Sequence, residues 1–249
     1  MKKYNNEDVI VALTSFGTRL NDAVRTIFSI IKQTHRSIHI VLTLYKEDLK
    51  YIPEKLQLLI DNDVIELIVA EENLRCHLKY FYVMLKYRRV PIITVDDDML
   101  YYPNTVEDLL QEYKKYNCIV SRKCRKMTFD KNKIINPFKK WVWNAIEDKP
   151  SRKLHALGFS GVIYPPNALN LQLSNIEEIK TKCLRADDIY LNVLEIRNNV
   201  LVKCLHKNYG RLTNYFEKKG FKSLSLDKDN DKITNLYISN FKKEFNSCL

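Results

Sequence analysis

The sequence predicts an α/β protein in which a doubly wound, mostly parallel sheet has flanking helices on both faces. Short apolar runs typical of buried strands alternate, along the first half of the chain, with segments whose apolar residues recur at helical spacing. A strand–helix–strand order implies parallel strands joined by helical crossovers. The composition agrees with a folded globular protein, because 45% of the residues are apolar and 29% are charged.

The first half of the chain supplies four predicted strands. The first is a β-branched run, DVIVAL, which ends in the polar loop TSFGTRL. All four are apolar runs bounded by polar or turn residues, at residues 8–13, 37–44, 64–70 and 92–95. The helices predicted between them lie at residues 21–33, 53–60 and 77–87.

The second half shows weaker patterns. Residues 122–140 are rich in basic side chains and have little periodicity, which indicates a long loop. Helices are predicted at residues 103–116 and 187–197, and strands at residues 118–121, within 155–166 and at 200–205. From Gly210 onward the chain is polar and lysine-rich and gives no clear signal.

The charge and cysteine content restrict the class of protein. With 41 Lys and Arg against 30 Asp and Glu, the net charge of +11 should attract anions such as nucleotides, nucleic acids or anionic membranes. Six scattered cysteines lack the spacing of a zinc site, which indicates reduced, structural thiols. The N-terminal sequence MKKYNNEDVI lacks the apolar run of a signal peptide, and no stretch is apolar over the length of a membrane span. We therefore expect a cytoplasmic protein, with a peripheral position on the inner face of the cell membrane left open.

Three consecutive aspartates, Asp96, Asp97 and Asp98, follow the fourth predicted strand. Like charges this close raise one another's pKa unless a cation or hydrogen bonds offset the repulsion. Ligands of open parallel sheets bind beyond the carboxyl ends of the strands, and Mg²⁺ or Mn²⁺ commonly binds one or two carboxylates together with substrate phosphates. On an extended strand Asp96 and Asp98 would point the same way and Asp97 the other way. This arrangement predicts a metal-binding pair, with a solvated turn as the alternative.

The motifs, taken in order, resemble those of bacterial glycosyltransferases of the GT-A fold with a DxD motif, of the family 2 type. The resemblance extends from about Val9 to Leu205, and the segments that carry it are VALTSFGTRL, NLRCHLKYFYVML, ITVDDDMLYYPNTVEDLL, GFSGVIYPP and RADDIYL. It implies a catalytic domain at residues 1–209, with a nucleotide-sugar half at about 1–121 and an acceptor half at about 122–209. Residues 210–249 would then be a basic C-terminal tail.

The resemblance also implies roles for individual residues. It assigns Asp96 and Asp98 to the metal, with His206 as a candidate third ligand; an imidazole suits Mn²⁺ better than Mg²⁺. It places Gly161, next to Ser160, beneath the donor sugar, where a Cβ would intrude. The residues that it assigns to contacts with the nucleotide-sugar are Thr14, Ser15, Arg19, Lys79, Asp97 and Gly161.

Two further aspartates, Asp187 and Asp188, begin the last predicted helix. By position alone they would be an acidic pair that interacts favourably with the helix dipole. They also resemble the acidic pair of many inverting members of the family, in which the second carboxylate takes the proton of the acceptor hydroxyl as it attacks. The resemblance therefore implies Asp188 as general base, with Asp187 beside it.

The expected function is metal-dependent transfer of a sugar from a nucleotide-sugar donor, by preference a UDP-sugar, to a glycan or lipid-linked glycan acceptor of the lipopolysaccharide or capsule type. Transfer is expected to invert the anomeric configuration and to need Mn²⁺ or Mg²⁺. One alternative is a non-catalytic basic protein that binds nucleic acid or a membrane surface, although no RNP, zinc-finger or helix-turn-helix pattern supports a nucleic-acid partner. Another is a phosphoryl- or nucleotidyl-transferring enzyme that uses the same three aspartates.

Two surface features leave functional and structural interpretations open. Trp141 and Trp143 alternate and could share one face as a platform for sugar rings, or they could anchor the core. The basic run SRKCRKM at residues 121–127 could contact an anionic lipid-linked acceptor or a membrane surface, or it could simply be solvated.

Overall fold

The computed structural model describes residues 8–205, 213–214 and 230–248. In chain order the strands are β1 (Val9–Thr14), β2 (Ile38–Tyr45), β3 (Ile65–Ala70), β4 (Ile92–Thr94), β5 (Met99–Leu100), β6 (Ile119–Ser121), β7 (Cys124–Lys126), β8 (Val142–Trp143), β9 (Leu154–Ala156), β10 (Val162–Tyr164), β11 (Val202–Cys204) and β12 (Thr213–Asn214). The helices are α1 (Leu20–Ile31), α2 (Glu54–Asp61), α3 (Phe81–Lys86), α4 (Thr105–Tyr116), α5 (Asn175–Lys182), α6 (Asp187–Arg197), α7 (Asn230–Asn240) and α8 (Lys242–Asn246).

A mixed seven-stranded sheet with the order β11-β6-β10-β4-β1-β2-β3 forms the centre of the described molecule. β1 to β4 are parallel, as predicted, and α1, α2 and α3 connect them in turn. β10 runs antiparallel between β4 and β6, and β11 is parallel to β6. The predicted fold class, a mostly parallel sheet with flanking helices, is confirmed.

The core lies on both faces of the sheet, and β1 shows why its sequence is continuously apolar. Val9, Val11 and Leu13 pack into the cluster on one face, whereas Ile10 and Ala12 pack into a cluster on the other. All five are fully buried. A strand covered on both faces has no polar side, so it gives a run rather than an alternation of apolar residues.

The carboxyl ends of β1 and β4 meet at one edge of the sheet. The two strands are neighbours, and their register places Ala12 opposite Thr94. The residues that follow these strands, the loop after β1 and the three aspartates after β4, therefore lie side by side, where ligands of parallel sheets bind.

The second half contains structure that its sequence does not indicate. The predicted loop at 122–140 includes β7, which forms a small three-stranded sheet with the order β8-β7-β9. Strands of two or three residues are too short to show periodicity. In the polar C-terminal region Phe241, between α7 and α8, and Phe245, in α8, are buried in the core. Among the described residues no helix combines the length and apolarity that crossing a bilayer requires.

Candidate active site

The loop after β1 places polar side chains against the aspartates. Ser15 is buried, and its Oγ donates a hydrogen bond to Asp97 Oδ2 at 2.6 Å. Arg19, just before α1, also contacts Asp97. Thr14 Oγ1 donates instead to the backbone carbonyl of Thr43 at 2.7 Å, so its hydroxyl is held within the sheet. Of the three residues predicted to contact the nucleotide here, Ser15 and Arg19 thus join the acidic site directly.

The three aspartates lie beyond β4, which ends at Thr94, with Asp97 and Asp98 in a turn. The Arg19 guanidinium pairs with both oxygens of Asp97, with Nε 3.1 Å from Oδ2 and Nη2 in contact with Oδ1. Its Nη2 also lies 3.6 Å from Asp98 Oδ2. The expected alternation would place Asp96 and Asp98 on one side and Asp97 on the other. Instead, Asp97 and Asp98 both contact Arg19, whereas Asp96 pairs with Lys79.

Lys79 connects the aspartate turn with the start of α6. Its Nζ lies 2.7 Å from Asp96 Oδ1 and 2.6 Å from Asp187 Oδ2, and its side chain is only 5% exposed. Burial disfavours the charged amine, but the carboxylates of Asp187 and Asp96 outweigh it and hold the pKa of Lys79 well above its ordinary value. Burial likewise opposes ionisation of Asp187, yet the charge of Lys79 keeps the pKa of that carboxyl below its ordinary value. Lys79 is therefore a buried ionic bridge between two acidic segments.

Asp188 accepts two hydrogen bonds from one backbone group. The Gly158 N–H lies 3.1 Å from both carboxylate oxygens. Burial, followed by the negative charge of Asp187, raises the pKa of Asp188 to about 8, although Lys79 acts in the opposite direction. Once ionised, a carboxylate with a raised pKa is a stronger proton acceptor than an ordinary one, which suits a general base that works near or above this pKa.

Gly158 permits this close approach because it lacks a side chain. A Cβ at this position would lie 2.5 Å from Asp188 Oδ1 and 2.9 Å from Lys79 Nζ. At Gly161, which the resemblance places beneath the donor sugar, φ is +91° and a Cβ would meet its nearest neighbour, Leu109, at an ordinary 3.6 Å. Gly161 is therefore required by backbone conformation, and its contact with a sugar stays a prediction.

Tyr101 is a site residue that the sequence analysis did not single out. Its hydroxyl accepts a hydrogen bond from the Asp96 N–H at 2.9 Å and donates one to the Phe159 carbonyl at 2.9 Å. The ring is buried. Tyr101 thus ties the aspartate turn to the loop that carries Gly158, and the aromatic pair YYP just after the aspartates was the available signal.

The site carries an excess of negative charge in a chain whose net charge is +11. Five carboxylates lie around two cations. Four of them pair with one of the cations, and the fifth, Asp188, interacts electrostatically with Lys79. The carboxylates are those of Asp96, Asp97, Asp98, Asp187 and Asp188, and the cations are Lys79 and Arg19. With all five carboxylates ionised the group has three surplus negative charges, and with Asp188 protonated, as its pKa of about 8 favours at neutral pH, it has two. Either surplus is costly in a partly buried site unless a further cation binds.

A further cation would stabilise the ionised form of Asp98. Burial, and then repulsion from Asp96 and Asp97, raises its pKa to about 6 despite the nearby Arg19. Carboxylate oxygens are the ligands that Mg²⁺ and Mn²⁺ prefer, so the residues present fit a divalent ion at this turn. Among the described residues, however, no group of three or more His, Cys, Asp or Glu side chains is arranged so that it could hold a metal ion. His206, the predicted third ligand, lies outside the described residues.

The two tryptophans have different environments. Trp141 is buried, and its Nε1 donates to the Asn136 carbonyl at 2.9 Å, so it anchors the core. Trp143 is 55% exposed, and the guanidinium carbon of Arg125 lies 4.8 Å from its ring centroid. The two rings therefore do not form one exposed sugar platform.

The sequence matches no protein-family model and no curated protein. Its structure is similar to S. aureus TarS 1-349, with a TM-score of 0.53 and 10% identity over 81% of this chain and 58% of that chain. The TarS 1-349 complex with UDP gives the same TM-score at 13% identity and the same coverage. A second similar structure is the 4-diphosphocytidyl-2C-methyl-D-erythritol synthase from Anaerococcus prevotii DSM 20548, with a TM-score of 0.50 and 12% identity over 95% of this chain and 100% of that chain.

This chain thus spans somewhat more than half of the TarS chain that it resembles. At such low identity the similarity concerns the fold. Together with the mixed sheet and its parallel β1 to β4, it shows that the chain has a GT-A fold.

Proposed function

We propose that this protein is a metal-dependent glycosyltransferase that uses a nucleotide-sugar donor. The observation that carries the proposal is the group of five carboxylates and two cations at the carboxyl ends of β1 and β4. Without a bound metal ion, the negative charge of this group would repel a diphosphate. With a divalent cation bound, the same group attracts a diphosphate and retains a carboxylate for proton transfer.

For the donor we propose a UDP-sugar, supported by the structure of TarS 1-349 in complex with UDP. Ser15, Arg19 and Asp97 already form one hydrogen-bonded unit at the end of β1, where a nucleotide would enter. In this proposal the unit contacts the nucleoside, together with Thr14 in the same loop. The bridging position of Lys79 changes its proposed role, because an amine paired with two carboxylates orients those groups and is not primarily a phosphate ligand.

For the metal we propose Asp98 and Asp96 as protein ligands, with Mn²⁺ or Mg²⁺ as the ion and His206 as a further candidate. The ion would supply stabilisation of the charge that develops on the nucleotide diphosphate as it leaves. Arg19 keeps Asp97 and Asp98 oriented, and Tyr101 fixes the backbone at Asp96.

Asp188 is the proposed general base. The Gly158 N–H holds both of its oxygens, which fixes the carboxylate plane without a competing side chain. Asp187, paired with Lys79, keeps its own negative charge close by and so helps to raise the pKa of Asp188. In the reaction the acceptor hydroxyl would transfer its proton to Asp188 as its oxygen attacks the anomeric carbon. A base on the acceptor side is consistent with inversion.

The proposed acceptor is a surface glycan of the lipopolysaccharide or capsule type, free or lipid-linked, and the proposed location is the cytoplasm or the inner face of the cell membrane. Residues 1–209 would form the catalytic domain, with the nucleotide-sugar half ending near 121. These assignments extend the resemblance of the motifs and the fold.

A second candidate is nucleotidyl transfer, which the similarity to the diphosphocytidyl-methylerythritol synthase over 95% of this chain favours. Such an enzyme would bind a nucleoside triphosphate and release pyrophosphate, and it has no need for a base that deprotonates an acceptor hydroxyl next to α6. The raised pKa and backbone anchoring of Asp188 favour glycosyl transfer.

The proposal is tested by thermal denaturation with UDP, GDP, CDP, ADP and CTP, each with and without Mn²⁺. A ligand at a hundred times its Kd should stabilise the protein by about 2.7 kcal/mol. We expect stabilisation by one nucleoside diphosphate that depends on Mn²⁺. Asp98→Asn should abolish this dependence, whereas Asp188→Asn should keep donor binding and lose transfer.

The matched control is Asp148→Asn, an exposed aspartate outside the group of five carboxylates, which should leave all of these properties unchanged. Stabilisation by CTP with release of pyrophosphate would favour the nucleotidyltransferase. Binding that ignores Mn²⁺ and falls with salt for every polyanion would favour the non-catalytic anion binder.

A further inference from the structure

Most of the net charge of the chain comes from one short segment. Residues 121–153 contain 11 Lys and Arg against 3 Asp and Glu, a net charge of +8 out of +11. The rest of the chain is therefore nearly balanced. This segment includes β7 and β8 and leads into β9, so its charge lies on the three-stranded sheet and its connections and not on the central sheet.

The same segment exposes large apolar side chains. β8 lies at the edge of the three-stranded sheet, and we call residues 142–146 the β8 edge. Three of its five side chains are large, apolar and at least half exposed: Val142 at 50%, Trp143 at 55% and Ile146 at 56%. Single exposed apolar residues are common on protein surfaces, but three within five positions make this edge an apolar patch, with Val142 and Trp143 on opposite faces of the strand, and indicate a binding surface.

Basic side chains flank the β8 edge in sequence, and one of them contacts it in space. Lys139 and Lys140 precede it, and Lys149 follows it after Glu147, which pairs with Lys126, and Asp148; the three lysines and Asp148 are exposed. On β7, Arg125 stands opposite Trp143, with its guanidinium carbon 4.8 Å from the ring centroid. An exposed indole next to cationic groups is the combination found at the boundary between lipid headgroups and acyl chains.

We propose that the β8 edge binds the surface of an anionic lipid bilayer, with Trp143 and Ile146 inserted among the headgroups and the flanking lysines paired with lipid phosphates. The lysines could also bind a polymeric anion such as nucleic acid, but such a partner would not explain why isoleucine and valine side chains are exposed beside them. The bilayer surface accounts for both halves of the patch, because basic groups are attracted by its charge and the apolar side chains leave water.

This surface goes beyond the proposed reaction, and it would place the candidate site at the membrane. β9 pairs with β7, and its chain continues within two residues to Gly158, whose N–H holds Asp188. β8 and β9 are separated by one intervening strand, or roughly 10 Å. An acceptor anchored in the same bilayer would therefore lie near the small sheet from which the chain leads to the loop that holds the proposed base.

The first experiment follows tryptophan fluorescence while vesicles are added to the full-length protein. The chain has only two tryptophans, and Trp141 is buried, so a change on binding reports on Trp143. We expect a blue shift with vesicles of phosphatidylcholine that contain phosphatidylglycerol, and none with phosphatidylcholine alone. The Trp143→Phe variant should bind the same vesicles without the shift.

Flotation of the same vesicles then measures binding by each half of the patch. Trp143→Ser with Ile146→Ser should reduce partitioning by at least about tenfold, since each side chain loses its insertion. Lys139→Glu with Lys140→Glu should reduce it by at least about 25-fold, because each basic group near an anionic surface contributes roughly fivefold. Lys55→Glu with Leu58→Ser, which makes the same chemical changes at exposed positions on α2, should have no effect.

The proposal is overturned if anionic vesicles cause no blue shift, or if Trp143→Ser with Ile146→Ser floats like the wild type. It is also overturned if soluble polyphosphate binds the protein and phosphatidylglycerol vesicles do not, which would assign the patch to a polymeric anion. None of these assays includes a nucleotide or a divalent ion, so loss of the membrane surface and failure of the proposed reaction would be told apart.

Discussion

Replacing Gly158 with alanine should displace the Asp188 carboxylate. The new Cβ would lie 2.5 Å from Asp188 Oδ1 and 2.9 Å from Lys79 Nζ, whereas ordinary contacts begin at 3.4 Å. One of the partners must therefore move by roughly 1 Å, and overpacking of this kind costs about 1–3 kcal/mol. A carboxylate displaced by that distance also loses its catalytic position, at a cost of about a hundredfold in rate.

The assay that isolates this contact is a double-mutant cycle on stability. The free energy of unfolding is measured by urea denaturation for the wild type, Gly158→Ala, Asp188→Ala and the double variant. In the Asp188→Ala background the nearest colliding atom is gone, so Gly158→Ala should cost less there, with a coupling free energy of about 1–3 kcal/mol.

Equal costs of Gly158→Ala in the two backgrounds would refute the steric argument. The two substitutions would then act independently, and the destabilisation would come from the backbone or from Lys79. If transfer is measured as well, Gly158→Ala should lower kcat more than it changes KM for the donor, because the displaced group serves the chemical step.

Two further predictions concern buried charges. Lys79→Met should destabilise the protein by about 3 kcal/mol in urea denaturation, because Asp96 and Asp187 lose their shared cation. An unchanged denaturation midpoint would show that the bridge does not stabilise the fold. Glu195 is buried beside Asn192, and burial raises its pKa from 4.5 to about 7. The stability that Glu195 contributes is thus fully present below about pH 4.5 and is lost as the pH rises through 7. Glu195→Gln should therefore be nearly as stable as the wild type at pH 4 and more stable at pH 8, by about 3 kcal/mol at most. Thermal melts across this range would contradict the linkage if the difference did not change with pH.

Local patterns predicted the parts of the fold that depend on neighbours in sequence. The continuous apolar run of β1 indicated a strand covered on both faces, and the order of strands and helices indicated the parallel half of the sheet. The position of the three aspartates at the end of β4 followed from the same reasoning. Each of these inferences needs only a few adjacent residues and the known geometry of parallel sheets.

Contacts between distant residues could not be predicted in the same way. The bridge from Lys79 to Asp187 joins residues on two different elements, and nothing near Lys79 in the sequence marks its partner. The prediction that Asp96 and Asp98 point the same way assumed an extended strand and is wrong. The backbone leaves the strand at Thr94, and side chains in a turn do not alternate. The close approach at Gly158 depends on where α6 begins relative to that loop, which only the packed structure defines.

The antiparallel insertion of β10 affects how the chain can fold during synthesis. β4 is completed at Thr94, but its second neighbour in the sheet, β10, begins only at Val162. A nascent chain that has not yet reached Val162 therefore presents an open strand edge at the centre of its future sheet. Open edges favour pairing with other chains, so synthesis of the residues between these two strands is a stage at which the nascent chain is exposed to misassembly.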